Sequence, residues 1–293
     1  MAASLVGQIE WLFEQHRGTN ESRRAWRDQH PGFGQMAPKT FSWGAERRYK
    51  QVACQFAAWA KRHYGIKQVR DIRTDMVKQY FDERHKAGLS PRTLATDVTA
   101  LRRLGMYAAA AKWVEHNFVP EELSVPHGSN PRFSYAPAHA EAIITHVEQR
   151  NPLAANVLRI QLSAGLRVHE AVTLRVDMTD FERGTVCVRG KGGRIRTVEL
   201  RDKSVLARLD TSRRFPLLRG REDRWKQTIQ HLVRQACEEL GIEPGGTHSL
   251  RATAAQNMYD EEMDSGVDEG AVRQTVAKFL GHNRTDVTKS YVP

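Results

Sequence analysis

Apolar residues recur at three- and four-residue spacing along most of the chain, and the period shortens to that of strands over residues 185–200. Ile72, Met76, Val77, Tyr80 and Phe81 fall on one face of a predicted helix. Thr40 to Tyr64 reads as a second helix, carrying Trp43, Val52, Phe56, Trp59 and Ala60 among basic residues, with Gly65 as its stop. Ser90-Pro91 marks a sharp helix start, because a serine hydroxyl caps free amide groups and proline at the first position loses no hydrogen bond. Leu94, Val98, Leu101 and Leu104 continue that helix as a stripe, with Arg92, Arg102 and Arg103 off it. Further on, His139 to Gln149 and Leu153 to Ala164 are helical, and Gly165 breaks the pattern. The period then shortens. Thr185 to Arg189 and Arg194 to Leu200 are short β-type runs flanking Gly190-Lys191-Gly192-Gly193, a predicted hairpin turn. From Trp225 the chain is helical again, interrupted at Gly241 to Gly246 and by the acidic stretch Tyr259 to Gly270.

Between Val119 and Pro137 lie four prolines and a glycine without periodicity, which predicts a linker. The organisation read from the pattern is a helical N-terminal domain over 1–120, a linker over 121–136 and a second domain over 137–293. The fold class is mainly α with a small antiparallel β-sheet, the second domain being mixed α+β.

Composition narrows the chemistry. At 293 residues, 40% hydrophobic and 27% charged, the chain has the makeup of a globular protein with room for two cores. No apolar run reaches the roughly 18 residues of a membrane span. Glu10 and Glu14 stand where an export signal would be basic and apolar, so a cytoplasmic location is expected. Cys54, Cys187 and Cys237 are too dispersed for a disulfide framework or a CxxC site and read as buried thiols. No HExxH pattern occurs, and neither metal nor cofactor is expected. The net charge is +11, with residues 1–130 holding 20 basic and 13 acidic side chains. Such basicity permits a nucleic-acid partner without requiring one. Arg92, Arg102 and Arg103 are candidate DNA contacts, the alternative being a solvated helix face.

Five segments carry candidate chemistry through their order: AGLRVHEAVTL with Arg167, VRGKGGRIRTVEL with Lys191, THSLR with His248 and Arg251, FLGH ending at His282, and SYVP with Tyr291. Each alone has an ordinary reading. An arginine at a helix start makes a surface ion pair, GKGG serves as a plain glycine turn, and a tyrosine near the end packs. Together they resemble the tyrosine recombinases of the phage-integrase and Xer type over 137–293. The Ser90-Pro91-Arg92-Thr93 helix is similar, more weakly, to that family's SAM-like helical core-binding domain.

The chemistry suits these residue types. A phosphodiester under attack gathers negative charge on its nonbridging oxygens, which planar guanidinium groups match with paired hydrogen bonds. The resemblance implies that Arg167 and Arg251 form this clamp with His248 as a base-like partner, and that Glu170 supports it from behind. It further implies that Lys191 protonates the leaving 5′ oxygen, that His282 bonds to the phosphate and that Tyr291 is the nucleophile, forming a 3′-phosphotyrosyl link. The implied partner is double-stranded DNA, with a dimer on each site and a tetramer in the synapse, without a membrane. The function so implied is that of a site-specific recombinase, the integrase of a prophage or mobile element. A type IB topoisomerase-like nicking and closing enzyme and a noncatalytic architectural DNA-binding protein are the alternatives.

Three features depart from the family pattern. Ala252 stands where relatives often carry a second histidine. The acidic stretch lengthens the interval before LGH and is expected to avoid DNA. Only Val292 and Pro293 follow Tyr291, so either the chain is truncated or its subunits couple differently from relatives that dock a longer tail.

Overall fold

The computed structural model of the chain describes residues 4–31, 37–123, 133–190, 193, 195–209, 218, 220–281, 288 and 290–292. It divides into two compact units, Met1–Gly128 and Ser129–Pro293, the boundary falling inside the proline-rich segment. Helices dominate both, as the spacing of apolar residues requires.

The first unit is built from α1 (Leu5–Gln15), α2 (Arg23–Gln29), α3 (Trp43–Tyr64), α4 (Thr74–Lys86) and α5 (Pro91–Ala110). Leu5, Ile9, Leu12 and Phe13 line one face of α1 and enter the same core as Phe56, Met76, Tyr80, Leu101 and Leu104, so the N-terminal helix is part of this unit. Burying each such side chain is worth roughly 1.5–3 kcal/mol over leaving it in water. Helix α5 starts as predicted, with the Ser90 hydroxyl accepting the Thr93 amide at 3.2 Å and Pro91 at the first position. Helix α3 begins three residues later than the sequence suggests. Thr40 lies outside it because its hydroxyl is buried against the Tyr107 hydroxyl, 2.8 Å away.

The second unit packs α6 (Pro137–Arg150), α7 (Pro152–Ser163), the short α8 (Val168–Val172), α9 (Glu222–Leu240), α10 (Gly246–Asp264) and α11 (Glu269–Phe279) with a small sheet. The sheet runs β1 (Thr179–Asp180), β2 (Thr185–Arg189), β3 (Ile195–Glu199), antiparallel throughout, with Val188 opposite Arg196. Strand β1 is too short to give an alternation signal. Val186, Val188 and Val198 face a core shared with Ile143, Leu158, Ile229 and Leu250. A smaller apolar cluster joins α10, α11 and the C-terminal turn through Ala255, Tyr259, Val276, Leu280, Tyr291 and Val292.

Three expectations need correction. The second unit begins before residue 137: Tyr135 is buried, its amide donates to the Thr253 hydroxyl at 2.8 Å, and its phenol oxygen accepts the Gly245 amide at 2.9 Å. The acidic stretch is helix rather than loop over most of its length. Helix α10 runs to Asp264, and only 265–268 separate it from α11, whose first turn is capped by Asp268. Of the three cysteines only Cys237 is fully buried, Cys54 and Cys187 being partly exposed. Among the described residues no helix is long and apolar enough to cross a membrane.

Candidate active site

Arg167 ends the turn that follows α7. Gly165 makes that turn at φ 56°, a left-handed conformation that glycine adopts freely, and a Cβ there would strike the Phe279 ring. Glu170 then occupies the third position of α8 and reaches back, accepting the Arg167 amide at 2.8 Å in the manner of a capping glutamate. The same carboxylate accepts Arg167 Nη1 at 3.1 Å.

Glu170 is itself fully buried, and three guanidinium groups surround it. Arg196, on β3, donates to both carboxylate oxygens, Nη1 to Oε1 at 2.8 Å and Nη2 to Oε2 at 3.1 Å. Arg251 Nη1 lies 3.9 Å from Oε2. Burial alone would raise the Glu170 pKa. The Arg196 hydrogen bonds, the Arg167 amide and the two neighbouring positive charges outweigh it and hold the carboxyl down at about 2. Three cations around one carboxylate leave this buried cluster with excess positive charge, which suits a phosphate.

Arg251 lies on α10, three residues after His248 and so on the same side of the helix. Its side chain has no exposed surface. The guanidinium donates to the Gly165 carbonyl and, at 2.6 Å, to the Leu280 carbonyl, tying together the segments that lead to Arg167 and His282. Burial, then the nearby charge of Arg167, lowers its pKa to about 10, which leaves it cationic at neutral pH.

Tyr291 closes the cluster. A short turn held by its amide on the Thr288 carbonyl at 2.8 Å packs the ring into the smaller apolar cluster, with 5% of the residue exposed. The phenol oxygen lies 3.1 Å from His248 Nε2, and the Arg251 guanidinium carbon sits 5.6 Å from the ring centroid. Arg167, Glu170, His248, Arg251 and Tyr291, distant in sequence, thus meet in one unit. Lys191 and His282 lie outside the described residues.

Arg196 was not among the residues singled out by sequence. Its signal is strand alternation: it shares a face of β3 with buried Val198, and an arginine on the apolar face of a strand needs a buried anion. The three candidate DNA contacts separate. Arg92 is exposed. Arg102 donates to the main-chain carbonyls of Glu121 and Leu123 at 3.0 and 2.9 Å. Arg103 is buried and donates to those of Ala37 and Lys39 at 2.5 and 2.9 Å, so its guanidinium fastens the fold instead of facing a phosphate. Among the described residues no group of three or more His, Cys, Asp or Glu side chains gathers as a metal site.

Residues 136–293 match the phage integrase family, and residues 39–112 match the phage integrase N-terminal SAM-like domain. The chain therefore belongs to the phage integrase family, the tyrosine recombinases, enzymes that cut and rejoin DNA strands. Its relatives include the tyrosine recombinase XerD of Pseudomonas putida, 25% identical over 261 residues, which span 83% of this chain and 84% of the relative. The tyrosine recombinase XerC of Bacillus licheniformis is 27% identical over 249 residues, 78% of each chain. Among solved structures, the XerH site-specific recombinase in its post-cleavage complex with a palindromic difH substrate has the same fold, with a TM-score of 0.67 at 15% identity over 99% of this chain and 90% of the other. A lambda integrase dimer bound to a COC′ core site has a TM-score of 0.67 at 14% identity, over 99% of this chain and 77% of the other.

Proposed function

We propose that the chain is a site-specific recombinase acting on duplex DNA, in which Tyr291 attacks the scissile phosphate. The observation that carries this reading is the Tyr291 hydroxyl 3.1 Å from His248 Nε2, beside the buried Arg251. In the proposed step the phenol proton passes to His248 Nε2 while the Tyr291 oxygen bonds to phosphorus. The bond from phosphorus to the 5′ oxygen breaks, its electron pair leaves on that oxygen, and Lys191 supplies the proton. Arg167 and Arg251 meet the charge on the nonbridging oxygens, with His282 beside them. The product is a 3′-phosphotyrosyl link and a free 5′ hydroxyl, and rejoining is the reverse with a partner strand's hydroxyl.

DNA-bound relatives crystallised as a dimer on a core site and as a tetramer on a Holliday junction support the proposal that this chain pairs on its site and forms a synapse of four. Exposed Arg92 remains a proposed phosphate contact. The setting we propose is the integrase of a prophage or other mobile element. The XerC and XerD relatives favour a second setting, a recombinase serving a fixed site in the host chromosome. The genomic neighbourhood separates the two. The reaction itself is tested with a nicked suicide duplex built on a site that the full chain selects from random-sequence DNA. A covalent complex trapped by the native chain and absent with Tyr291→Phe is the expected result, and an adduct formed by the Phe variant overturns the assignment. Relaxation of supercoiled DNA lacking that site would instead favour the topoisomerase-like reading.

A further inference from the structure

A carboxylate set between two phosphate-binding arginines competes with the phosphate for their donors. Glu170 has that position, yet its hydrogen bonds are mostly taken elsewhere. Arg196 spans both oxygens with its fork, and the Arg167 amide takes a further site on Oε2. An ionised carboxylate offers about four such sites. What remains for the Arg167 guanidinium is one hydrogen bond from Nη1, and Arg251 sits at ion-pair distance, 3.9 Å. Arg196 is 14% exposed at its side chain and Glu170 is not exposed at all, so this pairing is shielded from water. Its geometry is also enforced from outside the pair. Gly281 lies at φ 66° against the Arg196 guanidinium, and a Cβ there would come within 2.6 Å of Nε.

We propose that Arg196 is a positioning residue of the reaction: by occupying Glu170 it leaves the partly exposed Arg167 guanidinium to meet a phosphate and keeps Glu170 from pulling Arg251 off its ties to the Gly165 and Leu280 carbonyls. It touches no substrate atom itself. Without it, Glu170 takes Arg167 as a fork and draws in Arg251, and the clamp closes on the protein's own carboxylate. This rests on the proposed clamp role of Arg167 and Arg251.

The experiment uses the full chain and the selected suicide duplex in three forms: the natural phosphodiester, a methylphosphonate at the scissile position, and a 5′-phosphorothiolate. The methylphosphonate replaces a charged nonbridging oxygen with methyl and so needs less from the clamp. The phosphorothiolate has a sulfur leaving group that departs without a proton. Arg196→Gln should cleave the phosphodiester about a hundredfold more slowly than the native chain and stay within about tenfold of it on the methylphosphonate, the size expected for losing transition-state charge stabilisation. Arg196→Lys, which keeps the charge but not the fork, should lie between. Retained binding of the selected duplex in a mobility shift shows that the variants fold. Equal loss on all three substrates marks a purely structural role and overturns the proposal. Rescue by the phosphorothiolate alone overturns it too, by placing the effect at the leaving group. Arg167→Ala separates the two levels. If the methylphosphonate rescues it but not Arg196→Gln, only the role of Arg196 falls. If Arg167→Ala is not rescued, the clamp reading falls and takes this inference with it.

Discussion

Tyr291 and His248, 43 residues apart, meet within one unit of one chain, phenol oxygen to Nε2 at 3.1 Å. On the roles proposed above, a nucleophile seated beside its own chain's histidine and arginines cuts the phosphate that the same chain holds. Mixing Tyr291→Phe with Arg167→Ala chains should therefore yield no covalent complex beyond that of each alone. Adduct restored by mixing would show that the tyrosine serves a neighbour's clamp.

His248 lies within hydrogen-bond distance of the Tyr291 phenol, at 3.1 Å, and is the proposed acceptor of its proton. His248→Ala should slow cleavage by about a hundredfold or more, as for other positioned proton acceptors, with binding of the selected site retained. A rate within a few fold of native, measured in single turnover on the suicide duplex, would remove the histidine from the step.

Arg251 carries a double load. Replacing it with Ala removes the donors to the buried carbonyls of Gly165 and Leu280, each at about 1–3 kcal/mol, in addition to removing the proposed clamp cation. Thermal unfolding of Arg251→Ala should show a clear loss of Tm alongside lost cleavage, and Arg251→Lys should recover part of the Tm. An unshifted Tm for the Ala variant would contradict the observed ties.

Glu170 sets a pH dependence of stability. Its carboxyl titrates at about 2 in the folded chain against an ordinary 4.5, so it is ionised in both states at neutral pH and its contribution is then fully present. As pH falls from 4.5 toward about 2 the unfolded chain binds a proton that the folded chain refuses, and about 3 kcal/mol is lost. Denaturant melts at pH 7, 4 and 3 should show this slope in the native chain and a shallower one in Glu170→Gln.

Arg92 and Arg103 should fail in different ways. Arg92→Ala should weaken binding of any duplex and reduce its salt dependence by about one phosphate contact. Arg103→Ala removes donors from the Ala37 and Lys39 carbonyls and should lower Tm. A shared phenotype for the two, read from salt titrations and melts, would refute the division.

Much of the fold was legible because local chemistry and tertiary position agree. Ser90-Pro91 starts α5 in the structure, Gly65 ends α3, and the alternation at 185–189 is a strand. The density of charge in the acidic stretch reads as loop, whereas Tyr259 packs into the small apolar cluster and bonds to Glu269 at 3.1 Å, carrying the helix past it. At the site, residue types and order pointed to Arg167, His248, Arg251 and Tyr291, but sequence contains no distance. It did not show that Arg251 is fully buried or that Arg103 turns inward, because both depend on carbonyls far away along the chain. Arg196 was legible in principle from the β3 face it shares with Val198, and was hidden by the louder glycine turn beside it.

The ties of Arg251 to Gly165 and Leu280 also bear on how such a chain can change over generations. On the roles proposed above, Tyr291→Phe keeps the ring that packs into the smaller apolar cluster and removes only the hydroxyl, so the chain should hold its shape while losing the reaction, a ready starting point for a repressor or scaffold. A substitution at Arg251 offers no such route, since the fold suffers with the chemistry. Descendants that outlive their activity should still carry this arginine long after the tyrosine has gone.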